Sequence, residues 1–400
     1  MTRNSFKRRA LIVQLARLGD LLQTVPAITA LTAADPTLVL DLLCPAPLAP
    51  IGRMLPGVVD VVEWDGLAWS HCAEATGSGL QLTHLHDAEH RLNMLAPRRY
   101  DCAYVLNQHP RALLAGALLA RETIGPRCEG PLGEQLTPWA AYIREVAITG
   151  RGRQVHLADA FCGLCRVQPS GRLAVLCRSA CVLPGDLDEI GRSEGRWVGL
   201  IIGAGDVERM VPLDVWKQWI VRFLDHDPRG RVVLIGQERE RGCQLLDLLP
   251  QVVRGRLWDA TGRTSLIELA ELMVRCHRVI GSDTGPLHLA AALGVPVIGM
   301  YFARARVHQT GPYGSGHLIW QAAETGGTMP MGGGSLRPMR WPIEETVTAL
   351  VEGRIGISEE WTVWDSHCDR WGAYYSESSH GSLPPYEREA LWRTMCPVVR

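Results

Sequence analysis

The sequence of 400 residues lacks any uncharged apolar run of the ~20 residues that a transmembrane helix needs. Its N-terminus, MTRNSFKRRALIVQLARLGD, begins like a secretion signal, with basic residues before apolar ones. The apolar stretch 10–16 is short, however, and Arg17 and Asp20 follow it. We therefore expect neither a cleaved signal nor a membrane span.

The sequence also lacks an excess of either charge. There are 41 Lys and Arg residues against 42 Asp and Glu, which gives a formal net charge of −1. Proteins that hold nucleic acid usually carry a basic stripe, so this balance argues against a nucleic-acid partner. The length and the 46% apolar content predict a soluble, globular protein with two domains of roughly 150–200 residues.

Cysteine does not form the dense framework of a small secreted domain. Twelve cysteines are scattered over the chain, so a reducing cytoplasm is the simpler expectation. Cys162 and Cys165 in CGLC, taken with Cys177 and Cys181, could indicate a zinc knuckle. The helical spacing of apolar residues around CGLC favours buried thiols instead.

A second zinc-like pattern is HDAEH, residues 86–90, which fits the H-x-x-E-H pattern of some zinc peptidases. It falls in a polar, irregular segment, and no third ligand can be identified. We interpret it as a solvated loop or as a patch that contacts an acceptor.

Apolar runs alternate with helical stretches in two parts of the chain, which predicts an α/β protein with doubly wound parallel sheets. The predicted strands are 10–15, 38–45, 58–64, 100–107, 196–205, 231–236, 277–281 and 295–301. The predicted helices are 21–31, 212–226 and 265–275. We divide the chain into Rossmann-like domains at 1–170 and 196–350, a linker at 171–195, and a tail at 351–400.

The tail is rich in aromatic residues. Five side chains recur at i, i+3, i+7, i+10 and i+14, which is the spacing of one stripe on an amphipathic helix. Acidic rather than basic residues accompany the stripe, which argues against a helix on a membrane surface. We predict a helical tail packed on the protein, its stripe formed by Trp361, Trp364, Cys368, Trp371 and Tyr375.

The stretch VIGSDTGPLHLAAALGVPVIGMY, residues 279–301, holds the densest set of candidate functional residues. A strand leads into a turn and then a helix, whose N-terminus offers N–H groups and partial positive charge to a phosphate. Gly285 would let a ligand approach the backbone, and His288 could donate to a phosphate or sugar oxygen. In the structural alternative, Asp283 and Thr284 only cap the helix and His288 only packs.

A second stretch, ALIVQLARLGDLLQTVPAITAL at 10–31, repeats the order of strand, turn, acid and helix. Asp20 and Gln23 fit a capping box, which is a structural explanation, and Pro26 is expected to kink or restart the helix. Ligands of doubly wound sheets bind outside the carboxyl ends of the strands. Carboxylates at such corners in two successive domains would face one another across a cleft, which favours a functional role.

Three stretches resemble the glycosyltransferase family 9 heptosyltransferases, enzymes of lipopolysaccharide core assembly. They are the stretch at 10–31, the longer run GRTSLIELAELMVRCHRVIGSDTGPLHLAAALGVPVIGMY at 262–301, and QTGPYG at 309–314. The similarity runs in pieces over roughly 10–350. The string Asp-Thr-Gly-Pro-x-His-Leu-Ala-x-Ala-Leu-Gly-x-Pro is the most specific part. The resemblance implies a GT-B fold, in which the first domain binds the acceptor and the second binds the nucleotide-sugar.

The resemblance further implies inverting transfer of heptose from ADP-heptose to a lipopolysaccharide core or related surface glycan, without a metal or cofactor. Asp20 would be the base that takes the proton of the attacking acceptor hydroxyl. Arg17, Gly19 and Gln23 are candidates on the acceptor side. The implied donor-binding residues are Arg209, Thr261, Gly262, Arg263, Thr264, Asp283, Thr284, Gly285 and His288.

The sequence departs from the family pattern in three places. The family often has a Lys near KxWP, whereas this chain reads GAGDVERMVPLDVW, so that Arg209 would replace the Lys. Ala16 and Arg17 stand where a Ser is usual. After TGPYG, the segment QAAETGGTMPMGGGSLRPMRW is rich in Gly and Met and predicts a flexible loop. These departures leave the exact donor and acceptor open.

Other functions also stay open. The enzyme could use another nucleotide-sugar or a protein acceptor, or the chain could be a non-catalytic nucleotide-sugar binder, which the missing Lys favours and the retained Asp20 opposes. A dehydrogenase is disfavoured because ARLGD, not G-x-G-x-x-G, follows the first strand.

The expected partners are a nucleotide-sugar and a lipid-linked saccharide, with no nucleic acid. We expect a cytoplasmic protein that can contact the inner face of the inner membrane. The basic groups Lys7 to Arg9 and Arg98–Arg99 suit an anionic lipid or phosphorylated core sugar as well as ordinary solvated charge.

Overall fold

A computed structural model describes ten segments of the chain. They are residues 8–65, 100–129, 133–149, 155–171, 174–178, 181–192, 194–323, 340–356, 358–378 and 386–395. Contacts divide the chain into two compact units. Unit 1 comprises residues 1–177, 370–372 and 386–400, and unit 2 comprises residues 178–369 and 373–385.

Unit 1 contains a parallel sheet of five strands in the order β3-β2-β1-β4-β5. The strands are β1 (Arg9–Val13), β2 (Val39–Pro45), β3 (Val58–Trp64), β4 (Tyr100–Val105) and β5 (Ala120–Ile124), and a separate antiparallel pair is formed by β6 (Arg127–Glu129) and β7 (Gly133–Gln135). The helices are α1 (Leu18–Leu22), α2 (Val25–Ala34), α3 (Ala49–Gly52), α4 (Pro110–Leu119), α5 (Pro138–Thr149) and α6 (Leu157–Leu164).

The central strands of unit 1 are nearly continuous apolar runs because helices cover the sheet. Leu11, Ile12 and Val13 of β1 are fully buried, as is typical of strands covered on both faces. The one buried acid of β2, Asp41, accepts hydrogen bonds from Arg9 Nε at 2.8 Å and from Tyr100 Oη at 2.8 Å. These donors offset the cost of removing the carboxylate from water.

The helix predicted over 21–31 is interrupted as expected. α1 ends at Leu22, and α2 begins at Val25 with Pro26 in its first turn. Proline is tolerated there because the first N–H groups of a helix have no partner within the helix. The prediction that Pro26 restarts the helix is confirmed.

Unit 2 contains a sheet of eight strands in the order β10-β9-β8-β11-β12-β13-β14-β15. The strands are β8 (Arg196–Ile201), β9 (Gly230–Ile235), β10 (Leu257–Asp259), β11 (Arg278–Ser282), β12 (Val297–Tyr301), β13 (Leu318–Ala322), β14 (Trp361–Asp369) and β15 (Gly372–Glu377). The first six are parallel to their neighbours, and β14 pairs antiparallel with β13. The helices are α7 (Leu213–His226), α8 (Arg239–Leu248), α9 (Gln251–Arg254), α10 (Leu266–Val274), α11 (Gly285–Ala292), α12 (Val307–Thr310) and α13 (Ile343–Glu352), and a last helix, α14 (Tyr386–Met395), belongs to unit 1.

Aromatic side chains on one face of α7 form much of the core of unit 2. Trp216, Trp219 and Phe223 recur at helical spacing and are buried. Trp219 stacks on Phe223 at 5.2 Å between ring centroids and donates from Nε1 to Thr346 Oγ1 of α13 at 3.1 Å. The buried indole therefore has a partner for its polar group.

The predicted helix over the aromatic stripe of the tail is wrong. Residues 361–369 and 372–377 are strands, and Trp361 and Val363 bury alternate side chains with the two-residue period of a strand. Val363 lies opposite Trp320 of β13 in the antiparallel pairing. The run WTVW combines aromatic and β-branched residues, which favour strands, and this preference outweighs the helical spacing. Within the tail, only α14 of the described residues after 361 is helical.

The zinc patterns have different outcomes. Cys162 and Cys165 are buried thiols at the end of α6, as predicted, whereas Cys177 is exposed. The described residues contain no group of three or more His, Cys, Asp or Glu that could hold a metal. HDAEH at 86–90, most of the Gly- and Met-rich segment and Arg98–Arg99 lie outside the described residues.

The linker prediction, residues 171–195, contains the change of unit between 177 and 178 and a 3₁₀ turn at Gly185–Glu189. Among the described residues, no helix has both the length and the apolar character needed to cross a membrane.

Candidate functional site

The sheet of unit 2 has a topological switch point between β8 and β11. The chain proceeds from β8 to β9 and β10 on one side, and then returns to place β11 on the other side of β8. Loops at the carboxyl ends of such strands diverge and leave a crevice, which is where ligands of doubly wound sheets bind. The loop after β8 carries Arg209, and the corner after β11 carries Asp283.

Arg209 and Asp283 meet at this crevice. Arg209 Nη1 donates to the backbone oxygen of Asp283 at 2.9 Å and lies 3.4 Å from Asp283 Oδ2. Arg209 ends a 3₁₀ turn, Val207–Arg209, which Asp206 initiates by accepting from the N–H of Glu208 at 3.1 Å. The turn holds the guanidinium beside the corner, and 22% of the Arg209 side chain remains exposed.

The other carboxylate oxygen of Asp283 is directed at His288. Asp283 Oδ1 and His288 Nε2 are 3.2 Å apart, and the His288 side chain is only 6% exposed. Asp283 therefore links a cation from the loop after β8 to an imidazole inside α11. Helix capping does not explain the orientation of the Asp283 carboxylate, which is directed at Arg209 and His288.

Thr284 holds the N-cap position of α11, yet its side chain does not cap the helix. Its hydroxyl donates backwards to the oxygen of Ser282 at 3.2 Å. Gly285 and the first turn of α11 thus keep the partial positive charge of a helix N-terminus without a side-chain oxygen over it. Such an end attracts an anion.

Sequence reasoning missed Tyr301, which ends β12. Tyr301 is fully buried and donates from Oη to the oxygen of Thr310 at 3.1 Å. Burial and the neighbouring Asp283 carboxylate raise the pKa of Tyr301 well above its ordinary value, so the phenol stays protonated and continues to donate. The signal in the sequence was a tyrosine at the carboxyl end of a predicted strand, VPVIGMY.

The segment 261–264 after β10 lies on the same carboxyl edge but makes internal contacts. Thr261 is fully buried and donates from Oγ1 to Asp259 Oδ1 at 2.6 Å. Arg263 donates to the oxygen of Asp259 at 2.7 Å and pairs with Asp186. β10 and β11 are three strand spacings apart, about 14 Å along the edge.

Two positions of this segment are more open than Thr261. Gly262 is exposed with φ of 62°, a left-handed conformation that favours glycine, and its N–H donates to the oxygen of Gly236 at 2.9 Å. Thr264 is half-buried. The carboxyl edge therefore presents Gly262 and Thr264, while the Thr261 hydroxyl is used within unit 2.

Residues 189–327 match the family model described as glycosyltransferase family 9 (heptosyltransferase). The match covers 139 of the 400 residues. Over 72 residues it is 32% identical to lipooligosaccharide heptosyltransferase 2 of Haemophilus influenzae. That alignment covers 18% of this chain and only 21% of the relative, so the chain matches about a fifth of its length.

Two solved structures share the fold over about four fifths of the chain. The glycosyltransferase family 9 protein of Veillonella parvula is 18% identical with a TM-score of 0.60, over 80% of this chain and 88% of that one. Heptosyltransferase WaaC of E. coli, solved with ADP, is 18% identical with a TM-score of 0.55, over 79% and 93%. The predicted GT-B fold with two Rossmann-like domains is confirmed.

The second predicted corner, at Asp20, lies outside the segment matched to the family 9 model. It follows β1, at the switch point of unit 1 between β1 and β4. Asp20 is half-buried in the first turn of α1, and its Oδ2 accepts from the N–H of Arg17 at 3.3 Å. Asp20 therefore lies at the edge of the sheet where ligands of doubly wound sheets bind, and its role in binding or catalysis stays a prediction.

The capping box expected between Asp20 and Gln23 is wrong. Arg17 is the N-cap of α1, Asp20 is its third residue, and Gln23 follows the last turn. Helix α1 begins at Leu18, three residues earlier than the pattern indicated, so Asp20 lies within its first turn. Arg17 itself is exposed, whereas Gln23 is buried.

Two buried amides flank this corner in the sequence. Gln14 is 1% exposed and has no hydrogen-bond partner for Oε1 or Nε2 among the described residues. Gln23 is 4% exposed, and its Oε1 is likewise unpartnered within the described segments. Buried polar groups without partners are costly and are found at ligand or water sites. Gln14 was visible in the sequence as the polar residue that interrupts an apolar run.

Proposed function

We propose that this protein is an inverting glycosyltransferase that transfers heptose from ADP-heptose to a lipopolysaccharide core or related surface glycan. The observation that carries the proposal is the group formed by Arg209, Asp283 and His288 at the start of α11, in the segment that matches the family 9 model. The ADP in the similar E. coli structure and the lipooligosaccharide in the relative's name support this donor and acceptor.

The donor diphosphate would bind at the corner after β11. Arg209 donates from Nη1 to Asp283. The Nε and Nη2 groups of Arg209 have no hydrogen bond to any described residue. An Arg offers several donors in a fixed plane, so Arg209 can grip phosphate oxygens while Asp283 fixes its orientation. The N-terminus of α11 at Thr284 and Gly285 would add backbone donors.

Transfer needs stabilisation of the leaving group as well as binding. When the bond between the anomeric carbon and the diphosphate breaks, its electron pair remains on the diphosphate, whose negative charge increases. Arg209 and the start of α11 are fixed positive groups that act on this charge without reorganising. For this reason we expect transfer to proceed without a metal ion.

Asp20 would supply the base. It removes the proton from the acceptor hydroxyl as that oxygen attacks the anomeric carbon from the face opposite the diphosphate. One bond forms, one breaks, and the anomeric centre is inverted. A carboxylate serves this concerted step if it lies within hydrogen-bond reach of the hydroxyl.

The domain roles and the location of the protein follow from this assignment. Residues 1–170 would bind the acceptor, with Arg17, Gly19 and Gln23 as candidate contacts, and residues 196–350 would bind the nucleotide-sugar. Gly262, Arg263 and Thr264 would line the nucleotide end of the site, about 14 Å from the diphosphate corner. A lipid-linked acceptor would bring a cytoplasmic enzyme to the inner face of the inner membrane.

A thermal-shift comparison of nucleotides tests the donor class, because a ligand that binds only the folded state raises the melting temperature. We expect ADP to raise the Tm and UDP, GDP and CMP to leave it unchanged. A preference for UDP or GDP would retain the transferase and exclude ADP-heptose. No shift with any nucleotide or nucleotide-sugar would contradict the proposal.

A further inference from the structure

The loop 309–314, QTGPYG, is held by two tyrosine hydroxyls from different strands. Tyr301 of β12 donates to the oxygen of Thr310 at 3.1 Å, and Tyr375 of β15 donates to the oxygen of Pro312 at 3.1 Å. Both phenols are buried, at 0% and 2% exposure. The carbonyl groups of Thr310 and Pro312 are therefore each fixed by a donor that is shielded from water.

The contact with Tyr375 is close as well as polar. A methyl group placed on Gly311 would overlap the Tyr375 hydroxyl, so the loop backbone lies directly against the phenol. One residue before the loop, the ring of His308 meets Trp364 edge-on at 4.5 Å and Tyr375 at 5.8 Å. Strands β14 and β15 thus cover both α12 and the loop.

This loop is next to the proposed donor corner. β12 pairs with β11 so that Met300 lies opposite Ser282, which brings the end of β12 beside Asp283. The pKa of Tyr301 is raised by the Asp283 carboxylate in addition to burial, which indicates that the phenol and the carboxylate are neighbours. Tyr301 therefore contacts the loop and adjoins the carboxylate that holds Arg209.

We propose that Tyr375 is a positioning residue for the nucleotide-sugar site, acting through the loop 309–314. The pair β14–β15 follows the segment that matches the family 9 model, residues 189–327, and supplies a support for the donor corner from outside that segment. This inference rests on the proposed function, because the loop borders a donor site only if the corner binds a donor.

The test compares Tyr375→Phe with Tyr374→Phe in the full chain. Tyr374 is the adjacent residue of β15 and stacks on His367 at 5.0 Å, so its variant controls for loss of a hydroxyl from the same strand. Hydrogen exchange of the amides in 309–314 reports whether the loop is held. ADP affinity and the kinetic constants for donor and acceptor report whether the site depends on it.

In Tyr375→Phe we expect faster amide exchange confined to 307–314, about a fivefold weaker affinity for ADP and a similar rise in the donor KM. The kcat should stay within about twofold and the acceptor KM should be unchanged, since the loop acts on donor binding. Tyr374→Phe should match the wild type in all these measurements.

Unchanged exchange in Tyr375→Phe would overturn the support of the loop. Faster exchange with unchanged ADP affinity and donor KM would overturn the positioning role. If the wild type does not bind ADP while Tyr375→Phe still loosens the loop, the proposed function fails and the contact is purely structural. Gly311→Ala, which displaces the loop from the same phenol, should reproduce the weaker ADP binding.

Discussion

At the scale of single residues, Arg209 and Asp283 carry opposite charges at the corner after β11, and each fixes the position of the other. Asp283 holds Arg209 through both its backbone oxygen and its carboxylate, and the carboxylate also contacts His288. A bare carboxylate at this position would repel a phosphate. The Arg209 guanidinium offsets that charge and adds donors, so its removal exposes a negative group to the ligand.

We predict that Arg209→Ala weakens ADP binding by about 30- to 150-fold, since a charge-assisted contact of ~2–3 kcal/mol is lost. Arg209→Lys should retain more affinity than Arg209→Ala, because it restores the charge that the family often places near this position. Isothermal titration with ADP measures both. Arg229, an exposed arginine in the same unit, provides the control Arg229→Ala. Equal affinity in Arg209→Ala and the wild type would remove Arg209 from the site.

Residue types alone predicted this corner only in part. Asp283, Thr284, Gly285 and His288 follow one another in the chain, so their grouping could be anticipated. Arg209 is 74 residues away from Asp283, and only the family resemblance pointed to it. Nothing local in the sequence indicates that the Asp283 carboxylate turns to Arg209 and His288 instead of capping α11.

At the scale of secondary-structure elements, short-range patterns succeeded where they had one interpretation. The run VVDVVEW is a strand over the predicted residues, and α7 differs from its prediction by one residue. The tail had two interpretations, because its aromatic residues fit a helical stripe and also an alternating strand. The choice depends on pairing with β13, some 40 residues earlier in the chain, which no local pattern records.

His317 connects the elements at the amino end of β12. It is 4% exposed, its Nδ1 accepts from the N–H of Val297 at 3.3 Å, and its backbone N–H donates to Ser366 Oγ of β14 at 2.9 Å. Burial, together with the nearby Arg278 and His288, lowers the pKa of His317 to about 4. The imidazole is therefore neutral in the folded protein at pH 7.

This pairing of elements predicts a pH dependence of stability. In the folded protein the His317 imidazole takes up a proton only near pH 4, whereas in the unfolded chain it does so near pH 6.5. Stability due to His317 is thus complete above pH 6.5 and is lost as pH falls towards 4, by about 3 kcal/mol in total. Urea unfolding at pH 7.5 and 5.0 should show a smaller loss in His317→Gln than in the wild type.

An equal loss of stability in both proteins would contradict the role of His317. His109, which is exposed at the start of α4 in unit 1, offers the control His109→Gln. Its removal should leave the difference between the two pH values close to that of the wild type.

At the scale of the whole molecule, the chain contains two doubly wound units with a candidate site at the switch point of each. The sequence predicted both corners because a strand, a small-residue turn and an acid occur together in each. It did not predict the buried amide of Gln14 as part of the first corner, because an unpartnered side chain is a property of the packed structure.

The two units have unequal support for their functions. The family 9 match and the paired charges belong to unit 2, whereas Asp20 belongs to unit 1 and stays a prediction. A non-catalytic binder would need only the site of unit 2. The proposed mechanism requires the carboxylate of Asp20 in addition, so this residue separates an enzyme from a binding protein.

The most direct measurement is transfer of heptose from ADP-heptose to a lipopolysaccharide core acceptor by the wild type, Asp20→Asn and Asp35→Asn. Asp35 is a half-buried acid in unit 1 that caps its own turn through Thr37, so it controls for loss of a carboxylate. We predict that Asp20→Asn lowers kcat by about 10²–10⁴-fold with ADP affinity within twofold of the wild type, and that Asp35→Asn transfers normally. Transfer by Asp20→Asn at the wild-type rate, or no transfer by the wild type, would contradict the account.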